Sequence, residues 1–269
     1  MQDPTPLPSG GGVAFSSGTI PGLNHAVFAP LLANFAAACS YRPVSRIIVI
    51  TGTDTGVGKT LLTALLAAYL RAQGVKVAAL KPLCSGGRAD ARLLRRALGD
   101  SLPLDTINPW HFRAPVTPLL AARAEKRSVR LASVISHVRS VARSAPRPDW
   151  LLIEGAGGLL SPLGEEFSTR ELILRLRAQP LIVGVNKLGV VNHVLLTLAA
   201  LPPSFAAKAR VVLMSEARSD RASQSNVNLL AEYLSRKRIS VLPHFKNADD
   251  FESALATPTV CRTLESLLK

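Results

Sequence analysis

The stretch Gly52-Thr53-Asp54-Thr55-Gly56-Val57-Gly58-Lys59-Thr60 decides how this chain folds. It stands between a short β-branched run, Arg46–Thr51 (RIIVIT), and an Ala/Leu-rich run, Thr60–Gln73 (TLLTALLAAYLRAQ). The first reads as a buried parallel strand. The second reads as a helix stopped by Gly74. A glycine-rich turn between such a strand and such a helix is a phosphate loop. Its backbone amides converge on phosphate oxygens, and the helix N-terminus adds a favourable dipole. In that reading Asp54, Thr55, Gly56, Val57, Gly58, Lys59 and Thr60 surround the phosphates of a nucleotide. Lys59 neutralises β- and γ-phosphate charge, and Thr60 offers its hydroxyl to magnesium. The spacing departs from the usual pattern of four residues between the two glycines. Here five separate Gly52 from Gly58, and Thr53 stands where the first glycine is expected.

Outward from the loop the chain alternates. Val75–Leu80, Trp150–Ile153, Leu181–Asn186, Arg210–Met214 and Ile239–Leu242 read as further strands. Val190–Ala200, Ser225–Arg236 and Phe251–Leu268 read as helical. This pattern predicts an α/β fold of the P-loop NTPase kind, a mostly parallel sheet with helices on both faces, as a single domain over residues 46–269. Residues 1–45 differ. Met1–Gly22 is rich in Pro, Gly and Ser with Asp3 as its only charge, and Ala26–Ala38 is a short apolar run. With no Lys or Arg before Arg42, neither a signal peptide nor a transit peptide is indicated, and the stretch reads as a poorly ordered extension or a misassigned start codon.

Composition bounds the function. Hydrophobic residues make up 48% of 269, so a sizeable core is available, and aromatics at 5% leave it to Ala, Val, Leu and Ile. No apolar run approaches the roughly 18 residues of a spanning helix. The three cysteines, Cys39, Cys84 and Cys261, have no metal-ligand spacing. A soluble protein of the reducing cytoplasm is expected. The net charge is +14, and Arg88–Arg147 holds twelve basic and four acidic residues. Such a face suits nucleic acid or a solvated surface. The absence of a nucleic-acid motif and the scarcity of aromatics favour the solvated surface.

In open parallel sheets ligands gather at the carboxyl ends of strands. The second strand ends in Lys81-Pro82-Leu83-Cys84-Ser85-Gly86, which places Lys81 to reach a transferred phosphoryl group. The third ends in Glu154-Gly155-Ala156-Gly157-Gly158, a carboxylate followed by glycines that let backbone approach a ligand closely. Asp90 opens an apparent helix and reads equally as a metal ligand or a helix-start acid. His193, near a helix start, is given no chemistry.

Together these segments resemble the dethiobiotin synthetase family. Seven pieces in order carry the resemblance: Gly52–Thr60, Lys81–Gly86, Ala89–Ala91, Ile107–Trp110 (INPW), Ala114–Pro118 (APVTP), Glu154–Gly158 and Lys187–His193 (KLGVVNH). The family forms a carbamate from 7,8-diaminopelargonate and carbon dioxide, phosphorylates it with ATP, and closes a ureido ring with release of phosphate. The resemblance implies Lys59 and Lys81 as catalytic cations at the γ-phosphoryl group, and Thr60, Asp90 and Glu154 as Mg2+ ligands. It implies Ser85 at the substrate and Gly157 at the nucleotide. Ser215 stands where the base is read, and Gly189, Val190 and Asn192 hold the substrate's carboxylate tail across a homodimer interface. The chain departs from the family pattern at Gly56, where a Glu is usual, and at Met214–Ala217, where the family reads adenine with an Asn-Asp pair. The segment between Gly86 and Asp90 is also short.

Two other readings compete. One is a partitioning or regulatory P-loop ATPase, a branch that carries an extra early loop lysine where this chain has Asp54. The other is a family member that binds nucleotide without synthesis. An amidating ligase of the same fold needs a glutamine-hydrolysing domain for which this chain is too short.

Overall fold

The computed structural model describes residues 45–218, 220–247 and 250–269. The expected extension, residues 1–45, lies outside the described residues except for Ser45. Among the described residues the strands are β1 Arg46–Gly52, β2 Val77–Leu80, β3 Leu83–Ser85, β4 Trp110–Phe112, β5 Trp150–Gly158, β6 Gln179–Val185, β7 Arg210–Met214 and β8 Ile239–Leu242. The longer helices are α1 Lys59–Ala72, α2 Ala89–Ala97, α3 Leu131–Arg143, α4 Thr169–Leu176, α5 Val190–Ala199, α6 Arg221–Tyr233 and α7 Pro258–Leu268.

Six strands form one sheet in the order β2-β5-β1-β6-β7-β8, with every neighbouring pair parallel. β3 and β4 form a separate parallel pair. Alternation along β1 splits the core. Ile48 and Ile50 pack with the buried leucines and alanines of α1 and with α2 and α7, whereas Val49 faces α3, α4 and α5. Nine residues of α1 are buried, among them Leu62, Leu65, Leu66 and Leu70. Each fully buried leucine contributes about 1.5–3 kcal/mol of transfer free energy, so α1 is held by its packing more than by its propensity.

The parallel sheet with helices on both faces agrees with the sequence reading, with informative shifts in boundaries. β2 starts at Val77 because Val75 belongs to the helix stop. Its N–H donates to Leu70 O at 3.0 Å while Gly74, at φ +70°, bonds Arg71 O. That is the paired closure of a left-handed helix end. β5 runs past Ile153 to Gly158, since the glycine stretch stays paired beside β1 up to Gly52↔Gly158, with an irregularity in register on the way. α6 starts at Arg221, earlier than Ser225, because Asp220 caps it by accepting from Ser223 N at 2.7 Å. The terminal run splits into Phe251–Leu255 and α7 because Pro258 forces the residue before it out of the helical region.

Candidate active site

Sheet register assembles the site. β1 and β5 pair Ile50 with Glu154, and β2 and β5 pair Leu80 with Ile153. Lys81 therefore emerges level with Glu154, immediately beside the loop that leaves β1. Lys81 Nζ donates to Glu154 Oε1 at 2.6 Å and forms a second ion pair with Asp90 on the first turn of α2. Thr60 Oγ1 donates to the same Glu154 oxygen at 2.7 Å. Lys59, Lys81 and Glu154 are all buried.

The loop between β1 and α1 is tied to the sheet by Thr53 N, which donates to Val183 O at 2.8 Å. Lys59 Nζ donates to Asp54 O at 2.8 Å, and the Asp54 side chain accepts from Thr55 N at 2.7 Å. Gly58 ends the loop at φ +97°, and a Cβ there would lie 3.0 Å from Met214. Gly157, at φ +69°, has room for no Cβ either, since Ser161 Oγ would be 2.4 Å away. Both positions need glycine for conformation and for space.

Electrostatics separates the two lysines. Burial pushes the Lys59 ammonium down to about 8, partly opposed by Glu154 and reinforced by Lys81. Burial acts in the same direction on Lys81, but the carboxylates of Glu154 and Asp90 outweigh it and hold Lys81 above the ordinary lysine range. Direct contact makes the difference: Lys81 touches both carboxylates, whereas Lys59 touches a neutral carbonyl. Burial pushes the neighbouring Cys84 thiol up to about 12, so it is protonated and unreactive near neutrality.

A cleft of about 640 Å3 opens over these groups. Thr55, Gly56, Gly58, Lys59, Thr60, Lys81, Ser85, Asp90, Glu154 and Gly157 all line it. Against the loop's other side lies a smaller cleft of about 330 Å3 that shares Gly56 and Gly58 and adds Val57 and Ser215. The phosphate loop is thus the partition between a candidate reaction cleft and the smaller cleft. Asp54 lines neither and serves the loop's own shape. Gly189, Val190 and Asn192 line neither as well. Gly189 does cap α5, but Val190 is a core side chain whose N–H donates to Lys187 O, and Asn192 is exposed.

Several participants carry no assigned role in the sequence reading. Asn108, fully buried, donates to Lys81 O at 2.8 Å while Lys81 N donates to Ile107 O. The Ile-Asn-Pro-Trp segment therefore holds the backbone that presents Lys81. Pro115, Val116 and Thr117 wall the reaction cleft, and Pro243, His244 and Phe245 wall the smaller one. Asn226 donates to Asn186, and Asn186 donates to Ser223 O, bracing the strand ends near Ser215. The first two groups lay in quoted or flanking segments. The asparagine pair had no sequence signal because forty residues separate its members.

Among the described residues no cluster of three His, Cys, Asp or Glu side chains forms a ready metal cage. The donors that do meet fit a hard divalent cation bound together with phosphate. Glu154 Oε2 is buried without a partner, the Thr60 hydroxyl bonds the other Glu154 oxygen, and the half-exposed Asp90 carboxylate shares Lys81 with Glu154. Mg2+ takes such oxygens one or two at a time and fills its shell with water and phosphate.

Comparison with known proteins places this geometry. A family profile described as an AAA domain matches residues 46–250. The ATP-dependent dethiobiotin synthetase of Anaeromyxobacter sp. (strain Fw109-5) is 37% identical over 207 residues, 75% of this chain and 92% of the relative. That of Anaeromyxobacter dehalogenans (strain 2CP-C) is 39% identical over 203 residues, 74% of this chain and 90% of the relative. Among solved structures, the MinC:MinD cell division complex of Aquifex aeolicus is similar at a TM-score of 0.50 and 17% identity, covering 83% of this chain and 96% of that one. ParA of pNOB8 bound to nonspecific DNA is similar at 0.52 and 15%, covering 84% and 98%. Those two share the P-loop fold alone. With a phosphate loop, Lys81 and Glu154 set side by side by register, and relatives matched over nine-tenths of their length, this chain belongs to the ATP-dependent dethiobiotin synthetase family.

Proposed function

We propose that the chain converts 7,8-diaminopelargonate, carbon dioxide and ATP into dethiobiotin, ADP and phosphate, as a cytoplasmic enzyme of biotin biosynthesis whose catalytic unit is residues 46–269. The observation that carries this reading is the meeting of Lys59, Lys81, Thr60, Asp90 and Glu154 in one cleft with Ser85 at its rim. One substrate amine attacks carbon dioxide and loses a proton, giving a carbamate. A carbamate oxygen then attacks the γ-phosphorus of ATP, and the bond to the ADP oxygen breaks. The second amine attacks the carbonyl carbon of the mixed anhydride, phosphate leaves, and the ring closes.

Such a sequence asks the protein for position and positive charge rather than for a covalent nucleophile. Lys59 leaves the Asp54 carbonyl to meet the phosphates, whose charge keeps it protonated. Lys81, held cationic by its two carboxylates, lies where charge moves between carbamate, phosphoryl group and ADP. Ser85 hydrogen-bonds the substrate or its carbamate. Thr60, Asp90 and Glu154 hold Mg2+, which when bound neutralises phosphate charge. Gly56 removes the carboxylate that the family usually carries in the loop. Ser215 faces the base from the smaller cleft.

We also propose a homodimer in which the α5 amino terminus, Gly189–Asn192, holds the substrate's carboxylate tail for the partner's site. These residues line neither cleft within one chain, which leaves the exposed Asn192 and the helix start at Gly189 available to a partner's site. Sedimentation at micromolar concentration should give twice the chain mass, and a fully active monomer would refute it. The function is tested by mass spectrometry of a reaction with diaminopelargonate, 13C-bicarbonate, ATP and magnesium. Labelled dethiobiotin formed with equimolar ADP is expected. ATP consumed without labelled product would refute synthesis.

A further inference from the structure

A second cavity lies away from the reaction cleft. It occupies about 740 Å3 and is lined by Ile47, Gln179 and Arg210, which stand at the amino-terminal starts of β1, β6 and β7. The reaction cleft sits at the opposite, carboxyl ends of the same strands. Four cationic side chains converge on this cavity: Arg177, Lys208, Arg210 and Arg238.

Among the described residues none of the four makes a salt bridge. Arg238 is instead pinned by backbone carbonyls, donating Nε to Ala209 O at 2.8 Å and Nη2 to Ala206 O. Arg210 donates Nη1 to Ser266 O at 2.6 Å. Each guanidinium has five N–H donors, so both are oriented yet keep donors to spare. Burial and the neighbouring Arg210 both press the charge of Arg238 toward neutrality, so the pair gains by any anion placed between them. Two partly buried guanidiniums held together without a carboxylate are an unmet demand for negative charge.

The remaining wall selects the kind of anion. Leu174, Phe205 and Ala207 present apolar surface, and Gln179 and Ser204 are the neutral polar side chains. A bare oxyanion has no use for an apolar wall, and a sugar or a base finds few neutral donors and acceptors. A planar carboxylate matches a guanidinium fork, and an aliphatic body matches the wall. We propose that this cavity at the amino-terminal end of the sheet binds a small aliphatic carboxylate, separately from the nucleotide and substrate cleft.

The test is isothermal titration of the full chain with octanoate at physiological salt, against octanol and inorganic phosphate. The key variant is Arg177→Glu/Lys208→Glu, because both side chains are exposed and make no tertiary hydrogen bond among those described. One octanoate per chain should bind with a dissociation constant of about 1 mM or tighter, a free energy of about 4 kcal/mol or more. The double reversal should weaken it about tenfold, which is ~1.4 kcal/mol, while ATP turnover stays at the wild-type rate. Arg210→Gln, which keeps a donor for Ser266 O, should weaken octanoate as well. Absence of saturation by about 10 mM, ten times that constant, would overturn the proposal. Unchanged affinity in the double reversal, or octanol or phosphate binding as tightly as octanoate, would overturn it too.

Discussion

Replacing Lys81 with methionine should destabilise the protein through Glu154, and the size of the loss follows from burial. Glu154 is 1% exposed and Lys81 5%, with Nζ 2.6 Å from Oε1. Methionine fills similar volume, so the packing term is small. What remains is a carboxylate sealed in the core with only the Thr60 hydroxyl on one oxygen and nothing on the other. Removing one partner of a buried pair in this way costs about 3–5 kcal/mol. Asp90 is half exposed and adds little, because water replaces its lost partner. For a domain of this size 1 kcal/mol moves the melting temperature by about 2–4 °C. The expected drop is therefore about 6–20 °C. Differential scanning calorimetry of Lys81→Met, Glu154→Gln and the double variant measures it. The double variant should recover at least half of the loss, since neutralising the carboxylate removes the uncompensated charge. The difference should hold steady between pH 7 and 9. Lys81 is held above the ordinary lysine value of 10.5, so its stabilising charge is complete below that value and is lost only as pH climbs past it. A single variant melting within about 2 °C of wild type would refute the argument, as that is less than 1 kcal/mol. So would a double variant no better than Lys81→Met.

Lys59 predicts a different pH signature. In the proposed function its charge meets the phosphates, and burial has lowered its pKa to about 8 in the free protein. With diaminopelargonate saturating, kcat/KM for ATP should fall as pH rises through about 8, while kcat falls later because bound phosphates restore the charge. A flat kcat/KM profile from pH 7 to 9.5 would count against this, and Lys59→Ala should lose at least about a hundredfold in kcat/KM, the loss expected for one transition-state contact of ~2.7 kcal/mol. Asp90→Asn should raise the magnesium concentration for half-maximal rate severalfold, because one anionic oxygen is lost to a hard cation. A wild-type magnesium titration would reduce Asp90 to a helix-start acid and a partner of Lys81. In the proposed function Ser215 would offer the base one short hydroxyl where an amide would offer both donor and acceptor. GTP or CTP should therefore support synthesis within about tenfold of ATP, reflecting one polar contact of ~1 kcal/mol. An ATP preference above a hundredfold would place base reading on other residues, such as Glu216 or His244.

The phosphate loop, the parallel sheet and the two strand-end groups Lys81 and Glu154 were legible because their signals are local. A β-branched run, a glycine turn and an Ala/Leu helix follow one another within Arg46–Gln73, and each restricts the backbone by its own sterics. β3 and β4 were not legible, since three-residue strands are too short to show a period. The tertiary structure alone decided which strand ends become neighbours. Lys81 and Glu154 are 73 residues apart, and only the pairing of Leu80 with Ile153 makes them a salt bridge. Asn108 bonds the Lys81 carbonyl from 27 residues away, and Pro243–Phe245 reaches the loop only because β8 ends beside β7. Of the four cations at the far end of the sheet, Arg177, Lys208 and Arg238 come from three separate connections and Arg210 from the start of β7. Composition announces only their charge. Their convergence is set by register and by the packing of helices on the sheet, which depend on the whole core and leave no mark in any short window of sequence.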